Sequence, residues 1–460
     1  MHSVYLPSFD FVRYAILTLA TLNLSLLMGC TIAFNPALII MTKKDLPPFS
    51  DPNHLPLCDR RFVYSTFEKS SLLSAIAIGC LLGVVPVNLG IQKFGIRFVL
   101  TLIGSICSIS TALMPIAAST GFVALLVARL VQGLALTVLF PTIGAVTSNW
   151  ASGREKGLFV AVLTGYIQLS SIFSIPVSSI VGSTLGWPAI FYVHSGICGF
   201  LTLLWFLFYR NASPDHPFIS EREIKDIDFG ESDSPFSDQS KIPYKAIFTS
   251  PPIWAIWIAV VGNMLVAQFA ITFNPMYLSW TLGLPVAQSG LLSTIPIVAQ
   301  FLLKFASGVL SDRLTQFSEL AKVRVFNSFG FFGAAAGFLA ISFVPPTDGV
   351  RNAILVMFPL SMIGFNAAGY NKAAVLVAGR FSSIVMGVVQ VVLALTLTAG
   401  SFIVPAMTPK NTFEEFSHVF LLFAAVLVIT NSAFLLLALA KPAKWTLDDI
   451  VEKSTNCCYA

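Results

Sequence analysis

The chain has 460 residues, of which 56% are hydrophobic and only 11% are charged, whereas about 25% of residues in an ordinary soluble domain carry a charge. A soluble fold of this length needs a more polar surface, so the composition excludes an ordinary soluble protein. The formal net charge of +5 is spread over short polar segments, so it does not indicate nucleic-acid binding, which needs a basic face.

Long apolar runs alternate with short polar segments along almost the whole chain. Twelve of them reach about 20 residues, the length that crosses roughly 30 Å of hydrocarbon. Backbone N–H and C=O groups must pair within the chain inside a bilayer, so each run is predicted to be a helix. The predicted spans are 14–41, 70–92, 97–118, 121–144, 157–182, 187–209, 251–279, 287–310, 323–344, 352–376, 380–406 and 415–440.

The polar segment 210–250, rich in charge, serine and proline, separates two halves of six spans each, 1–209 and 251–440. An even number of spans places both termini on one side of the membrane. Lys and Arg residues concentrate in alternate short loops, in the central segment and in the tail 441–460, so this side is predicted to be cytoplasmic. The central segment is therefore predicted to be a cytoplasmic linker, with a short amphipathic helix around Ser220–Ile227.

A short pattern of glycine and basic residues recurs at matching places in the two halves. The copies comprise Lys93, Gly95 and Arg97 after the second span and Gly308, Asp312 and Arg313 after the eighth. A tight turn with charges at helix ends can latch the cytoplasmic side and open as the halves move. The first copy has Gln92 in place of an acid. The alternative is two ordinary loops that follow the positive-inside rule.

Six plus six helices with this paired loop resemble the all-α, twelve-helix fold of the major facilitator superfamily. Within it, several stretches resemble the anion transporter family of sialin, the vesicular glutamate transporters and the sodium–phosphate cotransporters. The stretches are Arg129–Leu134 with Phe140-Pro141, Asn149–Ala151 with Glu155-Lys156, Gly186–Tyr192, Ser213–Pro217 with Ile219–Glu221, and Arg380–Gly387. The resemblance implies a monomeric transporter of a small organic or inorganic anion, which works by alternating access around a midplane site.

Two basic residues fall deep inside predicted spans, where an unpaired charge costs at least about 2.5–3.5 kcal/mol. Arg129 lies three residues before Gln132, and the two share a helix face. In the resembling family the matching arginine handles the anionic substrate, and a guanidinium suits a carboxylate or phosphate. The alternative is an arginine that snorkels to the membrane surface. Lys304 could likewise snorkel, or could project inward as a second positive charge.

Several uncharged polar residues are further candidates for substrate binding. They are Asn263 and Gln268 in the seventh span, Gln300 in the eighth, Asn366 and Asn371 in the tenth and Gln390 in the eleventh. For each amide, a hydrogen bond between helices is an equally good interpretation. Proline frees backbone groups, so interrupted helices are predicted near Pro36, Pro141, Pro275 and Pro296.

The departures from the resembling family bear on which ion or potential drives transport. Arginines that the family carries in helices 1 and 7 fall on Ala33 and Asn263, and its helix 4 acid falls on Leu136. The missing arginine of helix 7 argues against glutamate as the substrate. Without an embedded carboxylate, His194 is the main candidate for a proton site. We therefore expect a facilitator or a carrier driven by the membrane potential, with a coupling ion left open.

Other classes of protein have less support. A sensor or scaffold that keeps the fold but has lost transport is the alternative, motivated by the missing charges. No nucleophile–base pair, phosphate loop or metal-ligand spacing is present, so no enzyme activity, cofactor or metal is predicted. Only Cys58 falls in an outward loop, which argues against disulfides. The membrane could be the plasma membrane or that of a lysosome or vesicle.

Overall fold

The computed structural model describes residues 11–42, 60–152, 155–228, 243–344, 349–378, 382–443 and 445. Within these ranges, eleven helical segments are long and apolar enough to cross a bilayer. One of them, Thr66–Thr120, has 55 residues and is interrupted at Gly95, whose φ of 77° is not helical. This segment therefore supplies two of the predicted spans, and the predicted all-helical fold is confirmed.

The first compact unit is Met1–Gln239. Its spans are α1 (Val12–Ile32 and Phe34–Met41), α2 and α3 (Thr66–Thr120 before and after Gly95), α4 (Phe122–Gly133, Leu134–Val138 and Leu139–Trp150), α5 (Lys156–Thr164 and Tyr166–Leu185) and α6 (Trp187–Phe208). The short helix predicted in the linker is present as Glu221–Asp228, which we call the linker helix.

The second compact unit is Ser240–Ala460. It begins with a short helix, Tyr244–Phe248. Its spans are α7 (Pro251–Gln268 continued to Thr281), α8 (Val286–Arg313), α9 (Glu319–Ser342), α10 (Gly349–Met362, Ile363–Ala367 and Tyr370–Ala378), α11 (Ser382–Met407) and α12 (Phe413–Leu437). Most of the predicted tail, 441–460, lies outside the described residues.

Interruptions occur in three of the four helices where proline predicts them. α1 is interrupted at Ala33, three residues before Pro36, and α4 tightens into a 3₁₀ segment shortly before Pro141. In α7, Pro275 lies between two π-helical segments. The expectation for Pro296 is wrong, because α8 continues through it as one helix. Each true interruption follows from the amide hydrogen that proline lacks.

Glycines allow α2 and α4 to approach at backbone distance. A methyl group added at Gly133 would collide with the carbonyl oxygen of Ile76 and would lie 3.0 Å from the Cα of Gly79. A methyl group added at Gly79 would in turn collide with the carbonyl oxygen of Leu130. Small residues at such contacts are typical of membrane helices, which gain little from the hydrophobic effect between themselves. The contact places Arg129, one turn before Gly133, beside α2.

An aromatic cluster holds α7, α9 and α12 of the second unit together. The ring of Phe269 lies 5.4 Å from that of Phe423 and 5.6 Å from that of Phe420. Phe338 stacks on Phe420 at 5.7 Å, and Tyr277 meets the same ring edge-on at 5.4 Å. Edge-to-face pairs of this kind contribute about 0.5–1.5 kcal/mol each beyond area burial.

We expect Gly133→Ala to destabilise the protein by about 1–3 kcal/mol, because the added methyl overpacks the α2–α4 contact. Thermal unfolding in detergent measures the effect. Gly144→Ala in the same span is the matched control, since nothing lies within 4 Å of its added methyl. Equal melting temperatures for the two variants would contradict this account of the packing.

Candidate functional site

The guanidinium of Arg129 lies wholly inside the first unit, and its side chain is 1% exposed. Its Nε donates to the carbonyl of Leu72 in α2 at 3.2 Å. Its Nη1 donates to the carbonyl of Thr31 in α1 at 3.1 Å and to Oε1 of Gln132 at 2.6 Å. The ring of Phe34 covers one face at 4.1 Å. Arg129 therefore does not snorkel to the surface.

Gln132 extends this network towards α1 and α3. Its Nε2 donates to the carbonyl of Cys30 at 2.8 Å and to the hydroxyl of Thr111 at 2.9 Å. The partners named for Arg129 and Gln132 are carbonyls, an amide and a hydroxyl, all of them neutral. The positive charge is thus hydrogen-bonded but carries no counter-charge from these groups, and an anion is the ligand that such a charge attracts.

Lys304 lies half-buried in α8 of the second unit. Among the described residues, no hydrogen bond or ion pair is made by its ammonium group. Lys372 in α10 differs, because its Nζ donates to Ser311 at 3.0 Å and lies 3.2 Å from Glu319. Of these two lysines, Lys304 is therefore the one without an ion-pair partner among the described residues.

The amide candidates of the second unit bond mainly to one another and to backbone. Asn366 donates to Asn263 at 2.5 Å, and Asn371 approaches Asn366 at 3.4 Å. Gln268 donates to the carbonyl of Leu397 and the hydroxyl of Ser401, both at 2.9 Å.

Gln390 lies half-buried in α11. The structure therefore brings Asn263 and Asn371 into one network through Asn366, which the sequence also offers as a polar candidate. Gln268 bonds separately to α11. Interhelical hydrogen bonding accounts for these contacts, and a ligand role for each amide stays a prediction.

His194 is fully buried in α6. Its Nδ1 lies 2.8 Å from the carbonyl of Ile190, so this nitrogen carries the hydrogen. Its Nε2 has no hydrogen-bond partner in the described chain, and the ring packs edge-on against Phe173 at 5.9 Å. These contacts suit a neutral packing histidine, and its role as a proton site stays a prediction.

The two copies of the loop pattern differ in their contacts. Arg97 donates through Nε and Nη2 to the carbonyl of Phe206, at 3.1 and 2.7 Å, where α6 ends. Its backbone N–H bonds to Asn211 of the linker at 3.1 Å. A side chain at Gly95 would collide with Asn211, so both the turn and the packing require glycine here. Lys93 lies 5.3 Å from the ring centre of Phe94.

The second copy shows fewer contacts of this kind. Nothing lies within 4 Å of a methyl group added at Gly308, and Arg313 is exposed. The side chain of Asp312 lies outside the described residues. A latch formed by these residues therefore stays a prediction for both copies.

Three carboxylates form ion pairs near the helix ends of the two units. The sequence did not single them out. Glu223 of the linker helix, 2% exposed, accepts from the backbone N–H groups of Val12 and Arg13 at 3.3 and 2.9 Å. Glu155 lies 3.4 Å from Arg13 and accepts from Tyr14 at 2.5 Å.

In the second unit, Glu319 pairs with Lys322 and Lys372. Glu155 lies within a stretch that carries the family resemblance, and Glu223 lies two residues beyond another. That proximity is the one signal that could have pointed to these two residues.

The linker also packs against α4 through an aromatic contact. Trp150 donates from Nε1 to the carbonyl of Arg210 at 3.1 Å, and its ring meets that of His216 edge-on at 5.5 Å. Burial, and then the charge of Arg210, lower the pKa of His216 below its usual value. His216 is therefore held neutral against the tryptophan.

The chain matches the sequence profile of the Major Facilitator Superfamily over residues 17–405. This is well over half of the chain, which therefore belongs to that superfamily and is a multi-pass membrane protein. The solved D-xylose–proton symporter aligns with 93% of the chain and 98% of its own, with a TM-score of 0.69 at 12% identity. At that identity the likeness concerns the fold.

Its curated relatives are the transporters that the sequence resembles. Human sialin is 27% identical over 89% of the chain and 83% of its own length. Mouse sodium-dependent phosphate transport protein 3 is 26% identical over 84% and 81%. Vesicular glutamate transporter 1 of Xenopus tropicalis is 25% identical over 90% and 72%. The predicted membership in this anion transporter family is confirmed.

We expect Glu223→Gln to destabilise the first unit by about 1–2 kcal/mol, since it removes a buried negative charge from the helix N-terminus that it caps. Thermal unfolding in detergent again measures the change. Glu221→Gln in the same linker helix is the control, because Glu221 is exposed. A Glu223 variant that melts with the wild type would show that the linker helix does not stabilise α1.

Stability should fall as the pH drops below about 6.5, the usual pKa of histidine. The folded pKa of His216 is lowered, so the unfolded chain binds more protons in the window between the two values. The stabilising contribution of His216 is fully present above the pKa of the unfolded state. It is lost as the pH falls towards the pKa of the folded state. His216→Gln should flatten this part of a melting-temperature profile, whereas an unchanged slope would assign it to other groups.

Proposed function

We propose that this protein is a secondary transporter of a small organic or inorganic anion that works by alternating access. Three observations support the proposal: the superfamily match, relatives that include a phosphate and a glutamate transporter by name, and a buried guanidinium whose named partners are neutral. The last observation carries it, because a cation kept inside a membrane helix bundle is functional by default.

In this proposal Arg129 provides a fixed positive charge for the substrate. Phe34 covers its guanidinium at 4.1 Å, and Phe34 begins the second part of α1, directly after the interruption at Ala33. A movement of this short helix would uncover the guanidinium without unfolding α1. Thr31, which lies before the interruption, would keep its hydrogen bond to Nη1. The substrate site would thereby open through a hinge that the sequence places beside it.

Lys304 is proposed as the second positive charge. A half-buried ammonium without a partner among the described residues is costly in a membrane helix, and a bound anion would offset that cost. The amides Asn263, Gln268, Asn371 and Gln390 would add neutral hydrogen bonds. The loops at Lys93–Arg97 and Gly308–Arg313 are proposed to act as the latch of the alternating movement.

The proposed driving force is the membrane potential. In the described spans, Asp and Glu residues occur only near helix ends, as with Glu68, Glu319 and Glu415, so no carboxylate sits at mid-helix to carry a proton. One charge moving through 100 mV corresponds to about 2.3 kcal/mol. A proton on His194 would be the exception.

The substrates proposed are phosphate, urate, sialic acid and small carboxylates other than glutamate, in a plasma, lysosomal or vesicular membrane.

The second candidate is a sensor or scaffold that has lost transport. One observation favours it: Arg129 is already bonded to Leu72, Thr31 and Gln132 and is 1% exposed. Such an arginine could serve packing alone. The two candidates differ in whether any anion crosses the membrane.

Transport by purified protein in liposomes tests the proposal. We expect saturable uptake of a labelled anion under an imposed potential, and less under a pH gradient alone. Arg129→Gln and Lys304→Gln should each lower kcat/KM at least about tenfold, because about 1.4 kcal/mol of lost stabilisation is a factor of ten. Lys410→Gln, an exposed residue in the α11–α12 loop, is the control.

Each outcome has a separate meaning. Uptake that survives Arg129→Gln would remove Arg129 from the substrate site and leave the transporter intact. Substrate-dependent proton uptake that persists in His194→Ala would overturn the coupling argument. No flux for any of the anions would favour the sensor or scaffold.

A further inference from the structure

Three cysteine side chains from different helices meet inside the first unit. Cys30 lies in α1, Cys107 in α3 and Cys198 in α6. Their Sγ atoms all lie within 4.8 Å of one another, and the residues are 0%, 1% and 1% exposed. We call these residues the thiol cluster. Their spacing along the chain gives no sign of it, because only the packing of three helices assembles it.

The cluster consists of separate thiols. All three cysteines are free, and the thiol of Cys30 donates to the backbone carbonyl of His194 at 3.7 Å. Thiols are weak hydrogen-bond donors, so hydrogen bonding alone gives little reason for three of them to meet. Together they form a set of soft donors, the kind that binds soft metal ions such as Cu(I).

The geometry fits one metal ion. Three sulfur atoms in a plane around a metal, at about 2.3 Å from it, lie about 4 Å apart. The observed limit is 4.8 Å, so each pair needs to close by less than about 1 Å, which small side-chain rotations can supply.

The number of donors distinguishes between metals. Among the described residues, this group of ligand atoms comprises three sulfurs and no histidine nitrogen or carboxylate oxygen. Structural zinc sites are almost always four-coordinate. Three sulfur donors without a fourth ligand therefore favour Cu(I) over Zn²⁺.

Hydrogen bonds link the backbone of two cluster cysteines to Arg129 through Gln132. Binding releases the protons of the thiols that become ligands, so Cu(I) with two or three thiolates carries a net charge of −1 or −2. Gln132, bonded to Arg129 at 2.6 Å, also donates to the carbonyl of Cys30 at 2.8 Å. Thr111, bonded to the same amide, donates to the carbonyl of Cys107 at 2.7 Å. The buried guanidinium is thus connected to two of the three cysteines.

We propose that Cys30, Cys107 and Cys198 bind one Cu(I) ion inside the first unit. The ion would tie α1, α3 and α6 together next to Arg129. This proposal does not depend on transport, since it concerns a resident ion held within one unit. It could stand if the protein carries no anion, and it could fail while transport is retained.

The test uses the 460-residue chain with Cys58, Cys457 and Cys458 changed to serine, so that these three thiols cannot bind Cu(I). The purified protein is titrated with Cu(I) without oxygen, against a competing chelator. We expect one ion per chain, three sulfur neighbours by X-ray absorption, and a higher melting temperature, because binding to the folded state stabilises it.

Single variants locate the site. Cys30→Ser, Cys107→Ser and Cys198→Ser should each weaken Cu(I) binding at least about tenfold. Cys80→Ser is the matched control, since Cys80 is 1% exposed in α2 but lies outside the cluster. If a cluster variant does not fold, the stoichiometry and sulfur count of the background protein still decide the question.

Three results would overturn the proposal. The first is no bound Cu(I), or fewer than three sulfur neighbours, in the background protein. The second is binding that survives loss of a cluster cysteine or disappears in Cys80→Ser. The third is a mass lower by two hydrogens with two cluster cysteines linked, which would mark a disulfide pair instead of a metal site.

Discussion

The first half of this protein is organised around a positive charge that is buried among its helices. Arg129 is 1% exposed, and an ion in a low-dielectric interior is tolerable only when its donors are satisfied. The acceptors come from α1, α2 and α4. A carbonyl oxygen inside a helix has a second lone pair. α1 and α2 can therefore each offer a carbonyl to Arg129 and keep their own backbone hydrogen bonds. The charge thereby fixes three helices relative to one another.

The glycine contact between α2 and α4 makes this solvation geometrically feasible. Gly79 and Gly133 bring the two backbones together, and Arg129 reaches Leu72, about two turns from Gly79 along α2. A larger residue at either glycine would move the carbonyl away from the guanidinium. The close approach of the two backbones and the hydrogen bonding of the charge therefore depend on each other.

The two halves share a helix plan but differ in the chemistry of their interiors. The first unit encloses a cation, a thiol cluster and a buried histidine. The second encloses an amide network around Asn366 and an aromatic cluster around Phe269. In the described spans of both units the acids lie near helix ends, and Glu223 caps α1 while Glu319 begins α9. Negative charge thus lies at the ends of each unit, and Arg129 and Lys304 place positive charge within the spans.

The sequence by itself determined the number of spans, their approximate limits, the division into halves and the family, because a bilayer admits few alternatives to a helix of fixed length. It also placed Arg129 and Gln132 on one helix face and the interruptions near Pro36, Pro141 and Pro275, since these depend on residues close in the chain. It failed at Pro296, because α8 accommodates that proline without a break.

Only the tertiary structure decided which polar groups meet. Long-range contacts join Arg129 to Leu72, Glu223 to Arg13 and Cys30 to Cys198, and no local pattern encodes such pairs. From the sequence, Arg129 could either face a cavity or reach the membrane surface. The structure encloses it among helices. No metal site was predicted from the sequence, because the spacing of ligand residues along the chain showed none. Helix packing sets the distances between side chains from different spans, so the thiol cluster could be seen only in the folded chain.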